Sequence, residues 1–308
     1  MNQQSRVSPL QLFSSLGVVR PNFLVLTPIC LSLGVASSLL SGSPIHWTLL
    51  SVILLAALMA HTSVNALNEY GDFQSGLDLN TERTPFSGGS GTLPQHPELA
   101  PQALRIGVVS LTVTILCGLY LVWQSGWELI PLGLTGILVI LLYTGPINRN
   151  RYLVLVVPGL AFGPIMVLGT EYALTGEFTE VGVIASLLPF FLVNNLLLLN
   201  QFPDVQADRQ VGRDNFVISL STAQSALIYG GFGVAAYLTI VFATLAGIFP
   251  ASALLGLTTA FLAYQVYSVA RRYSGVVDEL IPSMGKNVMV TLLTPLLLAI
   301  GIGCGVLI

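Results

Sequence analysis

Nine apolar runs, each about as long as the hydrocarbon layer of a bilayer is thick, leave this chain little choice of fold class. A helix needs roughly 20 apolar residues to cross that layer. Runs of this length occupy about 22–42, 47–69, 102–124, 128–147, 153–175, 181–202, 223–246, 250–270 and 287–307. A lipid-facing backbone must satisfy its own hydrogen bonds, so each run is expected to be a helix. Composition agrees. Of 308 residues, 54% are hydrophobic and 8% charged, with a mean hydropathy of +0.81. A soluble domain carries about 25% charged residues. The expectation is therefore an all-α integral membrane protein with nine transmembrane helices, forming one domain over residues 1–308.

Charge placement sets the topology. Gly42-Ser43-Pro44, Ser125-Gly126, Gly176-Glu177 and Phe249-Pro250 mark short connections on one side. The connections on the other side are mostly longer and more polar: 70–101, 148–152, 203–222 and 271–286. With nine spans, all eleven basic residues, from Arg6 to Lys286, fall on the side of these polar connections. Eight or ten spans would scatter them. The positive-inside rule then makes the amino terminus and the polar loops cytoplasmic. An inner cell membrane of a bacterium or archaeon is the expected location. Residues 1–20 lack an apolar core and a small-residue cleavage site, so no signal peptide is expected. Cys30, Cys117 and Cys304 sit inside apolar runs and read as packing residues. The net charge of −3 and the absence of a basic run argue against a nucleic-acid partner.

Two polar clusters interrupt this apolar pattern. The first follows the second span and contains Asn68, Glu69, Asp72, Asp78 and Glu82. The second follows the sixth span and contains Asn200, Asp204 and Asp208. The Asn-x-x-x-Asp pair recurs at a separation of 132 residues, Asn68 to Asn200 and Asp72 to Asp204. Matching positions four spans apart suggest a duplicated four-helix unit plus one further helix. His61, Asn65, Asn68 and Asp72 lie on one helical face, and Asn194, Gln201, Asp204 and Asp208 repeat the relation. Such stripes face a protein-lined cavity, because lipid would leave them unpaired. Acids and arginines at span ends are often merely solvated, with weak surface ion pairs. Two clusters in the same phase favour a shared site instead.

The chemistry of that site follows from its donors. Carboxylates with amide oxygens suit hard cations, and Mg²⁺ typically takes one or two carboxylates plus substrate phosphates. The thiolate or multi-histidine pattern of a zinc site is missing from the sequence. Arg83, Arg209 and Arg213, with Arg149 nearby, are suited to the remaining oxygens of a diphosphate. The glycines of Phe86-Ser-Gly-Gly-Ser-Gly91 could form a phosphate nest or a plain flexible loop. His61 reads better as an interhelical hydrogen-bond partner than as a proton carrier.

Asn68-Glu-Tyr-Gly-Asp72-Phe-Gln-Ser-Gly-Leu-Asp78 and Asn200-Gln-Phe-Pro-Asp204-Val-Gln-Ala-Asp208 resemble the two aspartate-rich motifs of the UbiA superfamily of intramembrane prenyltransferases. Arg20-Pro21, Tyr143-Thr-Gly-Pro146 and Phe162-Gly-Pro-Ile-Met-Val-Leu-Gly169 extend the likeness over nearly the whole chain. The Asp72–Asp78 spacing is similar to the branch that prenylates 1,4-dihydroxy-2-naphthoate in menaquinone synthesis. The resemblance implies nine helices around a central cavity and Mg²⁺ bridging the aspartates to a polyprenyl diphosphate. It implies an aromatic acceptor as second substrate. Asn68, Asp72, Asp204 and Asp208 carry over as metal ligands and catalytic residues. Arg83 and Arg213 carry over as diphosphate contacts, and Arg209, Arg149, Tyr143, Asn200, Asn65 and Asp78 are further expected substrate contacts beside them. Glu69 stands where the family usually has aspartate, and Arg213-Asp-Asn215 where Gly-Lys-Arg-Thr is usual. The expected reaction is electrophilic: the diphosphate leaves, an allyl cation forms, and an electron-rich ring attacks it, with the 78–101 loop closing over the site. A terpene cyclase of the same fold, a transporter and an assembly protein are the rival classes.

Overall fold

The computed structural model describes residues 16–273 and 275–306, and among them there is no strand. Arg6 lies outside the described residues. Among the described residues eight helices are long and apolar enough to cross a membrane, and a bent pair, taken as one broken span, makes nine. We number them α1 to α9. The bent pair, Leu16–Leu24 and Leu26–Leu40 with a 40° break, is α1. There follow α2 (Trp47–Gln74), α3 (Pro97–Ser125), α4 (Leu129–Ile147) and α5 (Arg151–Thr175). The remainder are α6 (Glu180–Gln210), α7 (Thr222–Leu245), α8 (Ala251–Arg272) and α9 (Val277–Gly305). All nine expected spans are present among the described residues.

Three limits differ from hydropathy. The apolar runs at 47–69 and 181–202 continue as helix to Gln74 and Gln210, and α9 begins ten residues before its expected start. The motif residues Asn68–Asp72 and Asn200–Asp208 therefore ride on the last turns of α2 and α6, not on loops. The helix continues because their polar groups point into protein. A charge facing lipid there would be costly.

The most enclosed helix is α6. Of its most apolar 18 residues 61% are buried, against 11% for α4, so α6 is the axis and α4 a lipid-facing wall. Leu188 and Leu192 of α6 pack with Leu33 of α1, Ile240 of α7, and Leu298 and Ile302 of α9. Leu134, Leu138 and Leu141 of α4 point outward, the reverse of a soluble surface. Backbones approach closely where α5 meets α6. A Cβ on Gly159 or Gly163 would fall 2.1 and 2.4 Å from the carbonyl oxygens of Phe190 and Ser186. At that seam Asn194 Oδ1 accepts the Gly159 amide at 2.7 Å. Prolines inside α4 and α5, Pro146 and Pro164, lie in stretches wound as π-helix, since proline removes a backbone donor and crowds the preceding turn.

The opposite end of the bundle is tied by a fully buried carboxylate. Glu171 accepts from Thr179 Oγ1 at 2.5 Å, from the Thr179 amide at 3.1 Å and from Ser37. It joins α5 and α1 to the start of α6. Alternation of the spans places the described basic residues, those other than Arg6, toward the end of the bundle that carries the two motifs.

Candidate active site

Helical phase delivers the polar stripes of α2 and α6 to one cavity. Asn68 and Asp72 are a turn apart on α2; Asn200, Asp204 and Asp208 are a turn apart on α6. All five line a polar cavity of about 120 Å³ at the motif end of the bundle. Asp78, Asn148, Arg213 and Asn215 line it as well, and the turn Ser87-Gly88-Gly89 closes one side.

One cation already sits among the acids. The Arg213 guanidinium reaches Asp72 and donates through Nη1 to Asp208 Oδ1 at 3.1 Å. Asn215 donates to the other Asp208 oxygen at 3.1 Å. Burial disfavours the charge on Arg213, but Asp72 and Asp208 outweigh it and hold its pKa above the usual value. On the loop, Thr84 Oγ1 accepts the amides of Phe86 and Ser87, setting a tight turn. That turn aims Ser87 Oγ at Asp204 Oδ1, 3.4 Å away. Gly88 and Gly89 follow with φ of 79° and 74°, a region open to glycine at little cost. A Cβ on Gly89 would stand 2.9 Å from Asp78 Oδ1, so the backbone lies directly against that carboxylate.

Two acceptors in this cavity have no donor. Asp78 Oδ2 and Asn200 Oδ1 are buried without a hydrogen-bond partner, an arrangement that normally carries a large desolvation cost. Burial first, then the neighbouring Glu69 and Asp72 carboxylates, pushes the Asp78 pKa up to about 7. Among the described residues no three Asp, Glu, His or Cys side chains converge to enclose an ion unaided. The donor set is nonetheless all hard oxygen, and the orphaned oxygens await a cation or donor. These residues fit Mg²⁺ held jointly with substrate oxygens.

A second cavity adjoins the first. It measures about 410 Å³ and has an apolar lining, running to Leu31, Ile53, Leu121 and Leu129. Arg20, Asn68, Phe86, Tyr143, Leu197 and Asn200 line both cavities and form a collar between them. Leu119 of α3 and Leu134 of α4 line the apolar cavity yet are 62% and 56% exposed, so it opens sideways between these helices. His61 lies in its wall, with Nδ1 2.8 Å from Thr27 Oγ1 and its ring edge-on to Phe162. This is the interhelical hydrogen bond expected of it. Asn65 also lines the apolar cavity and donates to the Val19 carbonyl at 2.9 Å.

Three expected substrate contacts lie elsewhere. Arg83 turns back to the Ser90 carbonyl within its own loop. Arg209 follows Asp208 by one residue, about 100° around α6, and donates to Ile218 O at 3.2 Å. Arg149 is exposed in the α4–α5 connection. None of the three lines either cavity. Closeness in sequence misleads for Arg209 because helical phase decides direction, and for Arg83 and Arg149 because they lie in connections outside the helices. Arg20, absent from the expected contacts, is at the collar. Its sequence signals are its place as the charge just before the first span and the Arg20-Pro21 likeness, neither of which gives it a contact. Ser87, Asn148 and Asn215 are ordinary polar residues until the loops fold them inward.

The UbiA prenyltransferase family matches residues 25–280. The 1,4-dihydroxy-2-naphthoate octaprenyltransferase of Bacillus subtilis is 27% identical over 192 residues, 61% of this chain and 60% of that protein. The protein of the same name from Mycobacterium leprae is 28% identical over 68% of this chain and 69% of its own length. Among solved structures, a UbiA homologue from Aeropyrum pernix in its apo form superposes with a TM-score of 0.68 at 17% identity, over 90% of this chain and 96% of the other. A UbiA homologue from Archaeoglobus fulgidus bound to GPP and Mg²⁺ gives 0.63 at 11% identity, over 92% and 99%. With nine spans in the same architecture and a family match over most of its length, this chain belongs to the UbiA prenyltransferase family of integral membrane proteins.

Proposed function

We propose that the chain transfers a prenyl group from a polyprenyl diphosphate to an aromatic acceptor of the 1,4-dihydroxy-2-naphthoate kind, with Mg²⁺ as cofactor. The observation that carries this is the pairing of cavities: an acid-lined chamber of about 120 Å³ joined through a collar to an apolar one of about 410 Å³. A molecule with a charged head and a hydrocarbon tail matches both. The names of the relatives and the GPP and Mg²⁺ of the Archaeoglobus homologue support the same reading.

Asp72, Asp204 and Asp208, with Asn68, would hold the cation; Asp78 and Asn200 offer the two free oxygens. When bound, Mg²⁺ supplies positive charge to the diphosphate oxygens as they take up the electrons of the breaking C–O bond. Arg213 and Arg20 are placed to add to that charge from the protein side. With the head in the polar cavity and the tail in the apolar one, the breaking bond falls at the collar, beside Tyr143 and Phe86. There the acceptor ring attacks the allylic carbon, diphosphate departs and the ring loses a proton. The glycine loop keeps water from the allylic carbon, and the basic residues on its side of the bundle support a cytoplasmic orientation for it.

The test is purified protein with prenyl diphosphates of several lengths and a panel of aromatic acids, read by mass spectrometry. Prenylated product that disappears with EDTA and returns with Mg²⁺ supports the reading. A terpene hydrocarbon or alcohol formed equally well without any acceptor would make the chain a cyclase instead.

The side opening gives a second expectation. Gly133 on α4 lines the apolar cavity, and a Cβ there would meet nothing within 4 Å. Gly133→Leu should fill the groove without harming the helix, where leucine is the better former. Overpacking against the tail of about 1.4 kcal/mol is a tenfold loss of kcat/KM. We expect that loss for the longest donors and little change for the shortest. Equal loss at every length would place the tail elsewhere.

A further inference from the structure

We infer that Glu69, the acid adjoining the first metal-motif position, is not a ligand at all but the latch that holds the glycine loop over the site. Glu69 follows Asn68 by one residue and so lies about 100° around the helix from it. It is fully buried and lines neither cavity. Both of its oxygens are taken. Oε2 receives Arg20 Nε at 3.0 Å and Nη2 at 2.7 Å. Oε1 receives Ser90 Oγ at 2.5 Å and the Ser90 amide at 2.9 Å. A carboxylate with four donors and a paired guanidinium has nothing left to offer a metal. In contrast, Asp78 in the same motif keeps a buried oxygen free.

The two partners of Glu69 are what make this a functional contact. Ser90 ends the turn whose other end, Ser87, touches Asp204. The loop is thus pinned to α6 at the reacting side and to α2 through Glu69. Arg20 is at the collar and has φ of 53°, the only positive value outside glycine among the described residues. Such a backbone persists where surrounding contacts hold it, and the Glu69 pair is that contact. An aspartate here would be one methylene shorter, and the same carboxylate would not span Arg20 and Ser90 from this helix position. Glu69 is therefore a positioning residue: it closes the loop and presents Arg20.

This rests on the prenyl-transfer reading in one respect only, the product to be counted. If the latch opens, water reaches the allylic carbon, its oxygen replaces the diphosphate oxygen, and a prenyl alcohol with free diphosphate results. The experiment compares wild type, Glu69→Gln, Glu69→Asp, Ser90→Ala and the double variant Glu69→Gln/Ser90→Ala. Hydrogen–deuterium exchange over residues 86–92 is measured without metal. The share of donor released as alcohol, and the Mg²⁺ concentration for half-maximal rate, are measured with it. Glu69→Gln and Glu69→Asp should speed exchange and raise the alcohol share several-fold, with the Mg²⁺ midpoint unchanged. Ser90→Ala should do the same in smaller measure, and the double variant should add little to Glu69→Gln. Unchanged exchange and alcohol share in all three single variants would sink the latch. A Mg²⁺ midpoint raised tenfold by Glu69→Gln, with Ser90→Ala like wild type, would make Glu69 a ligand after all. If wild type prenylates nothing, the parent reading fails while the exchange measurements still decide the latch; Ser90→Ala keeps the test open should Glu69→Gln not fold.

Discussion

Asp204→Asn is expected to lower turnover by on the order of 10³-fold, the scale of losing one preorganised charge at a developing anion, and to leave the bundle folded. The side chain is well placed for such a clean test. Among the described residues its one hydrogen bond is the long contact from Ser87 at 3.4 Å. An amide of the same shape keeps the packing and removes only the negative charge. Asp72→Asn should cost a comparable factor in rate, but with a price in stability of about 2 kcal/mol, because Arg213 loses a charged acceptor. Thermal melts in detergent should therefore separate the two variants while the assay does not. The check is initial rate against Mg²⁺ for each variant, with size-exclusion profiles confirming folded protein. Normal turnover by Asp204→Asn would remove Asp204 from the cation site and overturn the ligand set proposed for it.

That both acids could be named from the sequence, while the contacts made by Arg20, Asn148 and Glu69 could not, has a physical cause. Hydropathy reads the average environment of a span, and a bilayer imposes that environment uniformly; the nine helices are legible for this reason. It does not read direction. The run ending at 69 stops at the first acids, yet α2 continues to Gln74 because Asn68 and Asp72 face a cavity and not lipid. The four-residue spacing did carry direction, since it encodes a helical face, and it put Asn68, Asp72, Asn200, Asp204 and Asp208 around one chamber. The arginines had no such spacing. Arg83 and Arg209 lie beside the acids in sequence but are turned to backbone carbonyls. Arg20 lies 49 residues from Glu69 in sequence and bonds to it directly. Nor could any pattern show that Glu69 is saturated while Asp78 keeps a free oxygen. That depends on where Ser90 and Gly89 come to rest after the loop folds.

Removing Arg213 should move metal binding and catalysis in opposite directions. In the structure its guanidinium lies between Asp72 and Asp208, which are 8% and 3% exposed. Arg213→Ala leaves two buried carboxylates facing each other, and breaking a buried pair costs about 3–5 kcal/mol. Mg²⁺ can replace that lost charge, so the variant should be unstable without metal and gain more in melting temperature on adding Mg²⁺ than wild type does. The metal also no longer competes with a protein cation for the same oxygens, so its apparent affinity should rise. Turnover should nevertheless fall by on the order of 10²-fold, because the charge that Arg213 would bring to the departing diphosphate is gone. Arg213→Lys should recover part of the stability but little of the rate: a lysine neutralises charge as a point, whereas the guanidinium fork bridges two acceptors at once. The measurements are melting temperature against Mg²⁺ and kcat at saturating metal. Weaker Mg²⁺ binding by Arg213→Ala would show instead that the arginine organises the acids for the metal and does not compete with it.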